Sequence, residues 1–214
     1  MRSDNRKATA TEAGPTSSFT FTQRARRAQI VQAAIETLAE SGYTRTTFSR
    51  ISRQARLCST GMISYHFSGK PELITEVAHT IMGKAETMLE PRLREVDTYR
   101  GKLGVFIGST FEFASTYPTH TLALVEIVAM ARDRGSTGLE RVEQDILCVE
   151  RLAALLEHGV RAGEFGAFDC RTMAFALRGA IDGVLCQYLR HEAVDLDRCA
   201  QELTRAFGLC AQAA

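Results

Sequence analysis

Between positions 46 and 70 the chain gathers short hydroxyls and cations: Thr46, Thr47, Ser59, Thr60, Ser64 and Tyr65, with Arg50, Arg53, Arg56, His66 and Lys70. These side chains are hydrogen-bond donors. Donors set near helix ends are what hold a protein in register on a phosphate backbone. Gly61 lets a backbone approach a duplex closely, and Met62 can meet base edges beside Ser59, Thr60 and Ser64. Two assignments stay open here. His66 is either a phosphate contact or a structural partner of Phe67, and Arg50 and Arg53 either meet phosphate or form a solvated face.

Signs of catalytic chemistry are missing from the sequence. It holds no Gly-rich phosphate loop, no HExxH and no GxSxG. The histidines at 66, 79, 120, 158 and 191 lack metal-ligand spacing, so no metal and no cofactor is expected. The six cysteines (58, 148, 170, 186, 199 and 210) are scattered without a CxxC pair, and they read as free thiols packed as small hydrophobes.

Charge separates the chain into two parts. The overall balance of +1 conceals eleven Lys or Arg against four Asp or Glu in residues 1–70, a net +7. Residues 71–214 hold fifteen against twenty-one, a net −6. The first third is therefore expected to meet a polyanion and the remainder not. No apolar run approaches the roughly 18 residues of a membrane span. The N-terminal segment lacks the apolar core of a secretory signal, so the expected location is the cytoplasm.

The elements that must position these residues read as helices throughout, an all-α chain of about nine. Residues 1–20, rich in Ser, Thr, Ala and Gly, form a flexible arm carrying Arg2, Arg6 and Lys7. Ile30, Val31, Ala34 and Leu38 recur near a 3.6-residue period, and Gly42 closes this first helix. Thr46 or Thr47 can cap a short second helix that buries Phe48, Ile51 and Ala55. After a turn at 56–58, Ser59 or Thr60 can cap a third helix running to about His66, with Ile63 and Phe67 inward. Pro71 opens a long fourth helix that Pro91 is expected to kink or end. Residues 101–116, 119–131, 139–162, 169–190 and 195–211 complete the set, Asp169 capping the eighth. The organisation is then an arm at 1–20, a helix-turn-helix unit at 21–70, and a helical domain at 71–214.

Two patterns make this specific. Gly42-Tyr43-x-x-Thr46-Thr47-Phe48-x-x-Ile51 is followed by Ser59-x-Gly61-x-Ile63-Ser64-Tyr65-His66-Phe67-x-x-Lys70-x-x-Leu73-Ile74. Together they resemble the DNA-binding domain of the TetR family of bacterial repressors. The sequence departs from the family pattern in Ser64, where Tyr is frequent, and in one extra residue between Arg56 and Thr60.

The resemblance implies a homodimer that binds double-stranded operator DNA and is released by a small-molecule inducer. Leu177, Ile181, Val184, Leu185 and Tyr188, with Leu203 and Phe207, supply apolar stripes on the last two helices for a four-helix dimer interface. Met82, Met88, Phe106, Phe113, Tyr117, Met130 and Phe175 are candidates to line an inducer cavity, with His120 and Arg178 as polar anchors.

Overall fold

The structure, a computed structural model of the chain, describes residues 21–133, 148–190 and 193–210, with Val142 between them. The N-terminal arm and most of the loop expected after Ala131 lie outside the described residues.

The first three helices form one small unit. Helix α1 (Phe21–Arg45) buries Ile30, Val31, Ala34, Ile35 and Leu38, the expected 3.6-residue stripe. It breaks at Gly42, where φ is 72° and ψ is 168°. Helix α2 (Phe48–Gln54) begins at Thr47, whose hydroxyl accepts from the Arg50 N–H at 3.3 Å. That satisfies one of the donors a helix start leaves free. Helix α3 (Gly61–His66) buries Ile63 and turns Phe67 inward behind it. Thr60 precedes α3 without a side-chain cap bond, unlike the expected hydroxyl cap.

The larger helical part follows. Helix α4 (Lys70–Arg94) carries Pro71 in its first turn, and Glu72 reaches back to the Ser68 N–H at 2.8 Å and hydroxyl at 2.6 Å. These two bonds hold the Glu72 carboxyl below its ordinary range. The helix passes through Pro91 and ends within one turn of it, at Arg94. Helices α5 (Tyr99–Thr116), α6 (Pro118–Asp133), α7 (Val149–Arg161), α8 (Cys170–Leu189) and α9 (Leu196–Cys210) complete the described residues. Asp169 caps α8 as expected, accepting from the Thr172 N–H at 2.6 Å.

One continuous apolar core runs from Ile30 in α1 to Leu196 at the start of α9. Helix α1 packs chiefly on α6, and α8 packs on α7. The described residues are all-helical, with no strand among them, and none of their helices is long and apolar enough to cross a membrane.

Candidate nucleic-acid interface and internal cavity

The turn between α2 and α3 decides which way α3 faces. The Ala55 N–H bonds the Ile51 carbonyl at 2.8 Å, and the Leu57 N–H bonds the Ser52 carbonyl at 2.9 Å. Between them Arg56 takes φ 52°, a left-handed conformation uncommon outside glycine. A left-handed residue reverses the chain tightly, which is how this longer turn still delivers Ile63 and Phe67 to the core.

With those two inside, the opposite face of α3 is open. Ser59, Thr60, Gly61, Ser64 and Tyr65 are exposed, and Met62 and His66 are half-buried. Tyr65 projects furthest, at 73% exposure. The first turn of α1 completes a shallow surface there, as Thr22, Gln23 and Arg26 lie beside Ser59, Gly61, Met62, Tyr65 and His66. Gln23 Nε2 donates to the Tyr65 hydroxyl at 3.3 Å, and the Tyr65 and His66 rings meet edge-on at 5.1 Å. His66 Nδ1 is buried, with no hydrogen-bond partner among the described residues. Sequence reasoning missed Gln23 and Thr22. Nothing in their residue types distinguishes them, and Arg26 was legible only as positive charge.

Several expected contacts are placed otherwise. Thr46 is fully buried and its hydroxyl donates to the Gly42 carbonyl at 2.8 Å, so it holds the α1 break closed and does not face a ligand. Thr47 is exposed and Arg50 stands exposed one turn into α2. Lys70 turns inward, donating from Nζ to the Tyr43 carbonyl at 2.5 Å and lying 3.8 Å over the Tyr43 ring. Arg27 is likewise structural. Its Nη1 donates to the His66 carbonyl at 2.8 Å, its Nη2 pairs with Glu76 at 3.0 Å, and it stacks over Phe67 at 4.1 Å. It therefore fixes the end of α3 against α1 and α4.

A cavity of about 250 Å³ lies within the larger helical part. Helix α4 contributes Met82, Ala85, Glu86 and Leu89, and α5 contributes Phe106, Ser109, Thr110 and Phe113. Helix α6 adds Thr121, Leu124, Val125, Val128 and Ala129, while Cys148, Arg151, Arg178, Asp182, Leu185 and Cys186 close the far side. Of the expected set, Met82, Phe106, Phe113 and Arg178 line this space. Met88, Tyr117, His120 and Met130 do not.

Tyr117 instead packs between the Phe113 ring at 5.2 Å and His120 at 5.5 Å, with the Lys84 ammonium 3.8 Å over its face. Phe175 is 53% exposed on the outer side of α8, under Arg171. Two ion pairs in the cavity wall went unanticipated. Glu86 accepts from both terminal nitrogens of Arg151 at 2.7 Å, which holds its carboxyl below the ordinary range. Arg178 pairs with Asp182 one turn along α8, a spacing visible in the sequence.

Helix α6 touches the cavity and the end of α1. Its Glu126 Oε2 accepts from the Tyr43 N–H at 3.4 Å and lies over Gly42, 2.9 Å from where a Cβ would stand. The cavity-lining residues of α6 flank Glu126 on either side.

The expected dimer stripe is divided between core and surface. Leu177, Ile181 and Leu185 are buried inside the protomer, because they continue the inward stripe begun by Ala174. They are core residues, a correction to the expected interface. Val184, Tyr188, Leu203 and Phe207 are half-buried. The exposed face of α8 carries Phe175, Ala176, Gly179 and Gly183, with open space above both glycines.

Comparison with known proteins places this geometry. The family model for bacterial regulatory proteins of the tetR family matches residues 30–77. The chain is 25% identical over 173 residues to the fatty acid metabolism regulator protein of Bacillus subtilis, covering 79% of this chain and 87% of that protein. It is 30% identical over 182 residues to the HTH-type transcriptional regulator BetI 1 of Chromohalobacter salexigens, covering 84% and 87%. A crystal structure of the transcriptional regulator FadR from Bacillus subtilis, in complex with stearoyl-CoA, shares the fold with a TM-score of 0.73 at 22% identity, over 86% of this chain and 99% of that one. The helix-turn-helix of α2 and α3, matched within the family model and extended by relatives along most of the chain, shows that this protein belongs to the TetR family of bacterial regulatory proteins.

Proposed function

We propose that the protein is a dimeric repressor that reads operator DNA through the outer face of α3 and leaves it when a small molecule fills the cavity. The observation that carries this reading is the open face of α3. Its apolar side is used by Ile63 and Phe67, which leaves Ser59, Thr60, Gly61, Ser64 and Tyr65 facing outward with Met62 and His66 half-buried beside them. A major groove admits one helix presented in this way. Thr22, Gln23 and Arg26 stand where the adjacent phosphates would pass, and Thr47 and Arg50 extend the contact along α2.

Residues 21–70 act as the DNA-reading unit, and residues 71–214 hold the cavity and the dimer contact. Two copies are needed because symmetric operators present two half-sites about one helical turn apart. The exposed small-residue face of α8 and the half-buried Val184, Tyr188, Leu203 and Phe207 suit close helix packing between protomers. Such a protein works in the compartment that holds the DNA, the cytoplasm.

Selection of genomic fragments at low salt, followed by anisotropy titration at several salt concentrations, tests the reading. The expected result is enrichment of a two-fold symmetric site whose log affinity falls linearly with log salt. A library in which no fragment is enriched would overturn it.

A further inference from the structure

Two thiols line the cavity, Cys148 at the start of α7 and Cys186 near the end of α8. A thiol reacts as its thiolate, so the question is which of the two its surroundings favour as an anion. Cys148 is the N-cap of α7, where the N–H groups of the first turn present the positive end of the helix dipole. Arg151 follows one turn on in the same helix and lines the same cavity. Glu86 takes up both of its terminal nitrogens at 2.7 Å and so fixes it at the wall. Glu86 above all, and then the Cys148 sulfur, hold that guanidinium in its charged form, and the attraction acts equally on the sulfur. Glu150, the carboxylate of this first turn, pairs with Arg171 at the surface, 3.0 Å away. Cys148 also takes φ 54° and ψ 22°, a left-handed backbone that residues other than glycine rarely adopt. Such positions cluster where the aim of a side chain matters.

Other cysteines lack this combination. Cys186 is more exposed, yet it stands in the last turn of α8, at the negative end of that helix dipole. Cys170 opens α8, but burial, then Glu157 and Asp169, push its thiol up. Cys58 is exposed in the turn between α2 and α3, away from the cavity.

The rest of the wall limits what can reach Cys148. It is chiefly apolar, through Leu89, Phe106, Phe113, Leu124, Val125 and Val128, so it favours carbon skeletons over charged reagents. Addition suits such a space better than displacement, because no charged leaving group has to be solvated there.

We infer that Cys148 makes the cavity a covalent capture site for apolar α,β-unsaturated ketones and aldehydes, with Arg151 as its positioning residue. This deepens the reading of the cavity as the effector site and rests on it: the adduct is the effector. The thiol gives its proton to solvent, and the sulfur lone pair forms a C–S bond to the β-carbon. The C=C π pair moves onto the carbonyl as an enolate, near the same guanidinium, and the α-carbon takes a proton from water. Nothing leaves, and no oxidant or reductant is needed.

The full-length protein is incubated at neutral pH with pentyl vinyl ketone or with the charged alkylator iodoacetate, and the occupancy of each cysteine is followed by mass spectrometry of digests. The ketone should modify Cys148 roughly tenfold faster than Cys186 or Cys58, whereas iodoacetate should favour the two exposed thiols. Arg151→Gln should slow the reaction at Cys148 about fivefold and move the midpoint of its rate–pH profile upward, with the rate at Cys58 unchanged. Release of operator DNA should rise in proportion to Cys148 occupancy. The order of modification on the unmodified protein is decisive whether or not the variant folds. Faster reaction of the ketone at Cys186 or Cys58, an unchanged rate–pH profile in a folded Arg151→Gln, or full operator retention by the Cys148 adduct would each overturn the inference. If the untreated protein retained no DNA fragment, the repressor reading would fail, and the order of modification would still decide the capture site.

Discussion

Gly42 is the position where one added methyl group tests the most geometry at once. Its φ of 72° and ψ of 168° lie in a region essentially reserved for glycine, where an L-residue costs about 1–3 kcal/mol. A Cβ built there also lies 2.9 Å from Glu126 Oε2, closer than real Cβ contacts allow. The carboxylate end can move, but moving it forfeits the 3.4 Å bond to the Tyr43 N–H, about 1 kcal/mol at most for so long a contact. Gly42→Ala should therefore destabilise by about 2–3 kcal/mol. For a chain of this length that is a fall of roughly 5–10 °C in melting temperature. Urea unfolding of Gly42→Ala, Glu126→Ala and the double variant separates the two parts. In the Glu126→Ala background the methyl group should cost less, because only backbone strain remains. A cost under about 0.5 kcal/mol in the unmodified protein would refute the left-handed break at residue 42. An identical cost in both backgrounds would refute the placement of the carboxylate above it.

Three further outcomes follow from the same geometry. Arg26→Ala should weaken binding to all DNA sequences alike and reduce the salt slope by about one, measured by anisotropy across salt concentrations; a change of base preference with an unchanged slope would remove Arg26 from the phosphate path. Thr46→Val should lower stability by about 1 kcal/mol in urea unfolding, through loss of the buried bond to the Gly42 carbonyl, while leaving operator affinity unchanged. Burial, and then the Lys84 ammonium, push the His120 imidazole below its ordinary value, with Glu36 opposing them. Between its lowered folded value and about 6.5 the unfolded chain binds more protons, so this contribution is full above about pH 6.5 and is lost as pH falls. His120→Gln should flatten that part of the stability–pH curve relative to the unmodified protein, as followed by urea midpoints from pH 7.5 to 5.5.

Helix starts and inward stripes were legible where one local rule decides them. Asp169 before an apolar helix, Thr47 before α2, and Ile63 with Phe67 four residues on each need only a cap or a 3.6-residue period. What stayed hidden needs a partner to define it. Thr46 and Thr47 are identical neighbours, and only the break at Gly42 turns one inward and the other out. Leu177, Ile181 and Leu185 form an apolar stripe that periodicity finds, but period alone cannot say whether the stripe meets its own core or a second chain. Phe106 and Phe175 are the same residue type on apolar helices, one in the cavity wall and one exposed. Lys70 looks like a phosphate ligand until the Tyr43 ring and carbonyl are placed beneath it.

Helix α6 lies between the cavity and the end of α1, and over its middle turns neither of its long sides faces solvent. One side lines the cavity with Thr121, Leu124, Val125 and Val128; the other buries Ala123 and Ile127 and sends Glu126 to the Gly42–Tyr43 break. Tyr43 is also the residue under Lys70, at the start of α4, and its carbonyl accepts the Thr46 N–H that leads into α2. A ligand can shift the balance of two states only by its difference in affinity between them. On the proposed reading, a cavity occupant that prefers α6 displaced acts on Gly42–Tyr43 directly, because packed helices slide as units and do not absorb such a shift locally. On that reading the break at Gly42, set at a backbone angle few other residues tolerate, is where a small rotation would re-aim α2 and α3 together without breaking either helix.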